Sequence, residues 1–122
     1  MSGNSFVADT NAILYLLNGN PCMKEYLKTQ LFVSIITEME LLGYSQLSDN
    51  DKNVLEKFLS CCSIENISIE IKCKTIELRK KYNIKLPDAI IASTAIVKNL
   101  PLLSADNVFS KIPEVNFIHL QP

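Results

Sequence analysis

Near its start the chain carries the stretch SFVADTNAILYLL, residues 5–17, in which one acidic residue separates two different patterns. Residues 5–8 form a short apolar run, which predicts a buried strand. Residues 10–17 predict a helix, and the turn-forming sequence NGNP at 18–21 ends it. Asp9 is therefore expected at the junction between a strand and the helix that follows it.

Strands and helices are predicted to alternate along the rest of the chain. Further strands are predicted at 31–34, 64–69, 100–103 and 115–120, helices at 22–29, 37–47, 53–62, 70–82 and 88–98, and a helical turn at 106–111. Such alternation is typical of an α/β fold, in which a parallel sheet carries helices on both faces. The 122 residues contain no repeat or linker, and we therefore expect a single domain over residues 1–122.

The composition is that of a globular protein and not that of a general nucleic-acid coat. Hydrophobic residues make up 48% of the chain, charged residues 20%, and the net charge is −1. Proteins that coat nucleic acid are usually basic, so a nucleic-acid role would need a local patch or a metal site. Residues 69–85 contain six lysines and arginines but only two glutamates. This segment is either a solvated helix face or a strip in which Arg79, Lys80, Lys81 and Lys85 contact RNA phosphates.

The cysteines and the single histidine do not indicate a zinc site or a Ser–His–Asp triad. None of the four cysteines belongs to a C-x-x-C pair, and residues 1–8 lack the basic and apolar regions of a signal peptide. We expect reduced thiols in a cytoplasmic protein. His119 is interpreted as a surface or sheet-edge residue. No apolar stretch approaches the roughly 20 residues that a bilayer requires, so no membrane partner is expected.

Four acidic residues are predicted to meet at one edge of the sheet, because ligands of open α/β sheets bind outside the carboxyl ends of the strands. Asp9 follows the first strand and Asp106 the fourth, Asp88 opens a nearly apolar helix, and Glu40 lies in the helix after the second strand. Clustered carboxylates raise each other's pKa, and a divalent cation such as Mg²⁺, which prefers oxygen ligands, offsets that cost. Such ions activate water for phosphodiester cleavage.

Spacing alone leaves this interpretation open. Asp9, Asp88 and Asp106 also lie where an acid caps a helix or interacts with its dipole, an effect worth about 0.3–1 kcal/mol. Glu38 and Glu40 flank the apolar face of their helix on opposite sides, so periodicity does not choose between them.

Four motifs in series resemble those of the PIN-domain family. They are VADTNAIL at 7–14, SxxTxxEL at 34–41, DAIIASTA at 88–95 and SADNVF at 104–109. The second match selects Glu40 over Glu38. Ser104 stands where the family usually has threonine, which keeps the hydroxyl. Asn99 stands near a position where glycine often ends the helix, and asparagine tolerates the left-handed turn.

The resemblance is closest to the short VapC-like toxins of toxin–antitoxin modules. It implies a three-layer α/β/α sandwich around a mainly parallel sheet, and Mg²⁺- or Mn²⁺-dependent endonucleolytic cleavage of RNA (tRNA, rRNA or mRNA). It also implies that the catalytic and metal-binding residues are Asp9, Glu40, Asp88 and Asp106, supported by Thr10, Asn11 and Ser104. The partners implied are a small cognate antitoxin whose tail enters the active-site groove and a second copy in a homodimer.

Three competing hypotheses are kept at this point. The first is a PIN scaffold without catalytic activity that binds RNA or protein, because fold does not guarantee function. The second is an RNA-processing nuclease that is not a toxin. The third is a phospho-signalling receiver domain, which would need an acceptor aspartate after a central strand. Asp49 and Asp51 instead lie in a turn before a helix, which disfavours it.

Overall fold

The computed structural model describes residues 4–122, in which a five-stranded sheet lies between two layers of helices. Residues 1–3 of the predicted domain, and of the segment compared with a signal peptide, lie outside the described residues. The strands are β1 (Ser5–Ala8), β2 (Gln30–Ser34), β3 (Ser63–Glu65), β4 (Leu102–Ser104) and β5 (Phe117–His119). They pair in the order β3-β2-β1-β4-β5, and every pair is parallel. The predicted α/β/α sandwich around a parallel sheet is confirmed.

Helices cover both faces of this sheet. The α-helices are α1 (Thr10–Leu17), α2 (Ile35–Leu42), α3 (Asp49–Ser60), α4 (Ile69–Lys81) and α5 (Leu86–Lys98), and two 3-10 helices span Pro21–Tyr26 and Asn107–Lys111. Successive strand residues point to opposite faces, which divides the core into two clusters. Ala8 of β1 packs in the cluster that includes α1 and α3, whereas Val7 packs in the cluster that includes α4 and α5.

The structure corrects several predicted boundaries, and helix caps explain some of the differences. The helix predicted at 37–47 is α2, which ends at Leu42 and begins at Ile35, because the Ser34 hydroxyl caps it by accepting the Ile36 N–H at 3.2 Å. The helix predicted at 53–62 is α3, which begins at Asp49 after its cap Ser48. The strand predicted at 64–69 ends at Glu65. The Ser68 hydroxyl accepts the Ile71 N–H at 3.1 Å and starts α4 there. Ile69, which continued the apolar alternation, is 74% exposed as the first residue of that helix.

The remaining elements differ from the prediction mainly at their ends. The short helix predicted at 22–29 is a 3-10 helix that spans Pro21–Tyr26, and the fourth and fifth strands are shorter than predicted. Helix α5 begins at Leu86, which places Pro87 in its first turn, and it ends at Asn99 in the left-handed conformation (φ 56°). Seven consecutive residues of α5, 89–95, are buried, as its apolar sequence predicts.

The strand order reverses between β1 and β4, and this reversal positions the candidate site. Crossovers from β1 and β4 lead to opposite sides, which leaves a crevice at their carboxyl ends. Asp9 follows β1 directly, and Asp106 follows β4 after one intervening residue. No helix within residues 4–122 has the length and apolar character needed to cross a membrane.

Candidate active site

Asp9 occupies the bottom of the crevice and is almost fully buried. Its backbone N–H donates to the Leu103 carbonyl at 3.0 Å, which extends the β1–β4 pairing by one residue. Its side chain caps α1, and Oδ1 accepts the Thr10 N–H at 2.8 Å. The strand ladder and the helix cap therefore fix both the backbone and the carboxylate of this residue.

Ser104 and Asn11 join the ends of β1 and β4 around Asp9. The fully buried Ser104 hydroxyl donates to Asp9 Oδ2 at 2.7 Å and accepts the Asp106 N–H at 3.0 Å. The Asn11 amide donates to Asp9 Oδ2 at 3.2 Å and to Ser104 Oγ at 3.3 Å. Its Oδ1 accepts the Ala105 N–H at 2.9 Å. Two of the three residues predicted as supports, Asn11 and Ser104, thus contact Asp9 directly through their side chains.

Glu40 reaches the same edge from α2. Its Oε1 accepts a hydrogen bond from the Thr10 hydroxyl at 2.9 Å, so Thr10, the third predicted support, links α1 to α2. Glu38 lines a different depression with Leu59 and Cys62. The structure therefore separates the two glutamates that helical periodicity could not distinguish, and it directs Glu40 toward the other acids.

Asp88 and Asp106 complete the acidic group. Asp88 lies in the first turn of α5 and is half-buried. Asp106 is exposed, and its Oδ1 accepts the Val108 N–H at 3.0 Å as the cap of the following 3-10 helix. Both are close enough to Asp9 or to each other for their charges to interact. All four predicted acids are thus brought to one edge of the sheet.

The electrostatics of the group favour a positive ligand. Burial, with the nearby charges of Asp106 and Glu40, raises the pKa of Asp9, although hydrogen bonds from Ser104 and Thr10 oppose the shift. Burial also raises the pKa of Asp88, with further contributions from Asp106, Asp9 and Glu40, while Lys85 acts in the opposite direction. A cation among these carboxylates would stabilise their ionised forms.

A family comparison identifies this arrangement. The PIN domain model matches residues 6–115, which is most of the chain and includes all four acids. The chain belongs to the PIN-domain family. This membership excludes a receiver domain. The strand order 3-2-1-4-5 of the sheet supports the exclusion, because flavodoxin-like domains, to which receiver domains belong, have the order 2-1-3-4-5.

Several solved structures similar to this PIN domain come from toxin–antitoxin systems. A chain of the toxin–antitoxin complex from Klebsiella pneumoniae is 34% identical, with 89% of this chain and 93% of that chain covered and a TM-score of 0.77. VapBC2 from Rickettsia felis, bound to a DNA fragment from their promoter, gives 24% identity, 96% and 99% coverage and a TM-score of 0.83. DNA-bound VapBC from Salmonella typhimurium gives 22% identity, with 98% of both chains covered and a TM-score of 0.81. The VapC-like fold is thereby confirmed. Comparison with curated proteins gave no match.

The donor set of this PIN domain fits a hard divalent cation. Carboxylate oxygens are the ligands that Mg²⁺ prefers, and burial, which raises the pKa of Asp9 and of Asp88, is a cost to their ionised forms that a bound cation would offset. Within residues 4–122, no three acidic, histidine or cysteine side chains are already close enough together to form a metal-binding group. Mg²⁺ is commonly held by only one or two carboxylates with water, so this spacing remains compatible with such an ion.

The predicted basic strip lies at the end of α4 and in the loop before α5, and its side chains differ in their contacts. Arg79 Nε donates to the Ile84 carbonyl at 3.4 Å. Lys81 Nζ lies 3.2 Å from a carboxylate oxygen of Glu114. Lys80 takes part in no ion pair among residues 4–122, and Lys85 precedes α5 near Asp88. Of the four cations, Lys85 is the one that acts on the charge of the acidic group.

Two features of the site were not predicted. His119 is exposed at the end of β5, as expected, but its Nε2 also lies 3.0 Å from the Ala105 carbonyl oxygen. The second feature is a mainly apolar cavity of about 450 Å³ beside Thr10 and Glu40, bounded by α1, α2 and α3. The available signal was α1 itself, which is apolar on every side from residue 12 to 17 and so needs cover on more than one face.

Proposed function

We propose that this PIN domain is a Mg²⁺-dependent endoribonuclease and the toxin of a toxin–antitoxin pair. The observation that carries the nuclease proposal is the meeting of Asp9, Glu40, Asp88 and Asp106 at the crevice where the strand order reverses. The toxin proposal is supported by the 34% identity to a chain of the Klebsiella pneumoniae complex. Mn²⁺ is expected to replace Mg²⁺.

The proposal gives each acid a role. Asp9, Asp88 and Glu40 would hold the principal ion, directly or through water, and Asp106 would hold a second ion or orient the attacking water. When bound, the metal activates water and stabilises the attacking and leaving oxygens of the phosphodiester. Hydrogen bonds from the Ser104 hydroxyl and the Thr10 N–H fix the orientation of the Asp9 carboxylate and oppose the rise in its pKa that burial causes. The Thr10 hydroxyl orients Glu40 in the same way.

The RNA backbone would approach along the basic strip. Of the four cations, Lys85 is nearest to Asp88 along the chain, and its charge lowers the pKa of that acid. It is therefore placed to contact a phosphate next to the one that is cleaved. Lys80 and Arg79 would contact phosphates further along. Lys81 is expected to contribute less, because its ammonium already lies 3.2 Å from the Glu114 carboxylate.

The apolar cavity is the surface that we assign to the antitoxin. Leu14, Tyr44 and Val54 line it and are each more than 40% exposed, and an exposed apolar patch commonly marks a protein interface. Thr10 and Glu40 are among the residues that line the cavity, so a peptide lying in it would reach the acidic group. A basic side chain beside Glu40 would complement the carboxylates and block the site.

Cleavage of total cellular RNA by the purified protein tests the nuclease proposal. Wild type should give discrete fragments in Mg²⁺ and none in chelator, and Asp9→Asn should give none. Asp49→Asn is the matched control, because it makes the same change at an exposed position at the start of α3, and it should cleave like wild type. Folded protein free of antitoxin that cleaves in neither Mg²⁺ nor Mn²⁺ would instead support a PIN scaffold that binds without cutting.

A further inference from the structure

His119 contacts the short loop that carries Asp106. Its Nε2 lies 3.0 Å from the carbonyl oxygen of Ala105, the residue before Asp106. A carbonyl oxygen only accepts hydrogen bonds, so Nε2 must carry the proton and act as the donor. This contact spans from the last residue of β5 to the end of β4, its parallel neighbour in the sheet.

The imidazole is held in this orientation by aromatic packing. Its ring stacks on Phe117 with centroids 5.1 Å apart and an interplanar angle of 27°. Phe117 in turn meets the edge of Phe109, which is fully buried in the 3-10 helix that follows Asp106. The side chains of β5 therefore hold the loop on both sides of Asp106.

The Ala105 peptide is fixed at both of its polar groups. Asn11 accepts its N–H at 2.9 Å, and His119 donates to its carbonyl oxygen. Asp106 itself is exposed, and the side-chain contact that restrains it is the cap that it forms on the Val108 N–H. Its carboxylate is thus positioned mainly by the backbone on which it sits, and His119 is the exposed side chain that restrains this backbone.

We propose that His119 is a positioning residue of the acidic site, which acts by fixing the Ala105 carbonyl and so the direction in which Asp106 presents its carboxylate. This inference rests on the proposed function, because it assumes that Asp106 serves a metal ion or the attacking water. It assigns no proton transfer and no metal contact to the histidine itself.

Three variants separate the hydrogen bond from the bulk of the side chain. Glutamine can place an amide N–H near the position of Nε2, whereas asparagine is shorter and alanine offers no donor. Mn²⁺ binding by calorimetry on the full chain is the first measurement, and the Mg²⁺ concentration for half-maximal RNA cleavage is the second. We expect H119A and H119N to weaken both by roughly tenfold, the lower end of the range for residues that orient metal ligands. H119Q should stay close to wild type.

The outcomes distinguish this inference from the proposed function. If wild type cleaves RNA and H119A matches it both in Mn²⁺ binding and in Mg²⁺-dependent RNA cleavage, the positioning role is wrong and the nuclease stands. If wild type binds Mn²⁺ without cleaving RNA, the nuclease proposal is wrong, and weaker binding by H119A with rescue by H119Q still supports the positioning role. Loss of binding in H119A that H119Q does not restore, or no Mn²⁺ binding by wild type, overturns it. Urea unfolding in chelator should give similar midpoints for all variants, because the side chain is exposed.

Discussion

Replacing Ser104 with alanine is the most informative single change at the site. The hydroxyl lies in the buried space between β1 and β4, where it donates to Asp9 Oδ2 at 2.7 Å and accepts the Asp106 N–H at 3.0 Å. The Asn11 amide approaches it at 3.3 Å. Alanine removes one oxygen and leaves these three groups with fewer partners where water has little access, because Ser104 is fully buried.

The expected loss follows from the kinds of hydrogen bond that disappear. A hydrogen bond to a charged group contributes about 1.5–3 kcal/mol to stability, and one between neutral groups about 0.5–1.5 kcal/mol. The bond to Asp9 is of the first kind when that residue is ionised, and the bond from the Asp106 N–H is of the second. Because contributions within one network do not add, we expect the free energy of unfolding to fall by about 2–3 kcal/mol.

Ser93 supplies the matched control. It is also a fully buried serine, in the middle of α5, but its hydroxyl has no hydrogen-bond partner among the described residues. Ser93→Ala therefore removes a buried polar group without breaking a bond, and it should leave the stability unchanged or raise it. Ser104→Thr, which keeps the hydroxyl, should fall between wild type and S104A.

Urea unfolding in chelator at neutral pH measures these changes without a metal ion. The Ser104 hydrogen bond also lowers the pKa of Asp9, so S104A should raise that pKa further and weaken Mn²⁺ binding most at acidic pH, where protons compete with the metal. If S104A loses no more stability than S93A and binds Mn²⁺ as wild type does across this pH range, the network does not hold Asp9 in the way described.

Three further predictions test other parts of the structure. Asp88→Asn should stabilise the metal-free protein at neutral pH, by about 1 kcal/mol or less after solvent screening, because burial and neighbouring acids raise the pKa of Asp88 above 3.8 and penalise its ionised form. This gain in stability should vanish near pH 3, where the carboxyl is protonated in both the folded and the unfolded state. A variant that is no more stable than wild type at neutral pH would contradict the prediction. Lys80→Ala should weaken RNA binding and lower the slope of log affinity against log salt by about one, measured in the D9N background so that RNA is not cleaved. Lys81→Ala should lower the slope less, because the ammonium of Lys81 already contacts Glu114. RNA affinity and a salt slope for Lys80→Ala equal to those of the unsubstituted protein would remove the basic strip from the RNA path. Val54→Asp should abolish co-purification with a co-expressed antitoxin, because Val54 lines the apolar cavity. It should leave RNA cleavage intact, because Val54 lies on α3, which carries none of the four acids of the site. Retained binding would place the antitoxin elsewhere.

Local sequence signals predicted the first strand and the first helix with the bounds that the structure has. Features that depend on contacts between distant parts of the chain could not be predicted in this way. The apolar run of β1, the helix α1 and the turn after it all lie within residues 5–21, so their signals do not depend on the rest of the fold. The alternation at residues 64–69 misled because Ser68 starts a helix there, and a cap outweighs the apolar pattern of exposed isoleucines. Where a strand-like alternation and a helix cap overlap in the sequence, the local pattern alone does not show which of the two structures forms.

The acidic site was predicted as a group, but its connections were not. That strands of a parallel sheet end at one edge was enough to bring Asp9 and Asp106 together. The contact of Ser104 with Asp9 requires the register of β1 with β4, and that of His119 with Ala105 requires the register of β4 with β5. Registers between strands about 95 and 15 residues apart in the chain leave no trace in local composition. The choice of Glu40 likewise needed its contact with Thr10 on another helix.

Helix capping and the acidic site are not alternatives in this fold, although each explains the same residues. Asp9 and Asp106 both cap the helices that follow them, and each does so with Oδ1. In Asp9 the other oxygen, Oδ2, accepts the bonds from Ser104 and Asn11, so the cap leaves it free for the network. A cap fixes the rotation of a carboxylate at the point where a strand ends, and parallel strands end together. The geometry that stabilises each helix start therefore aims the acids into the crevice, and the cost of their mutual repulsion is the part that a metal ion would offset.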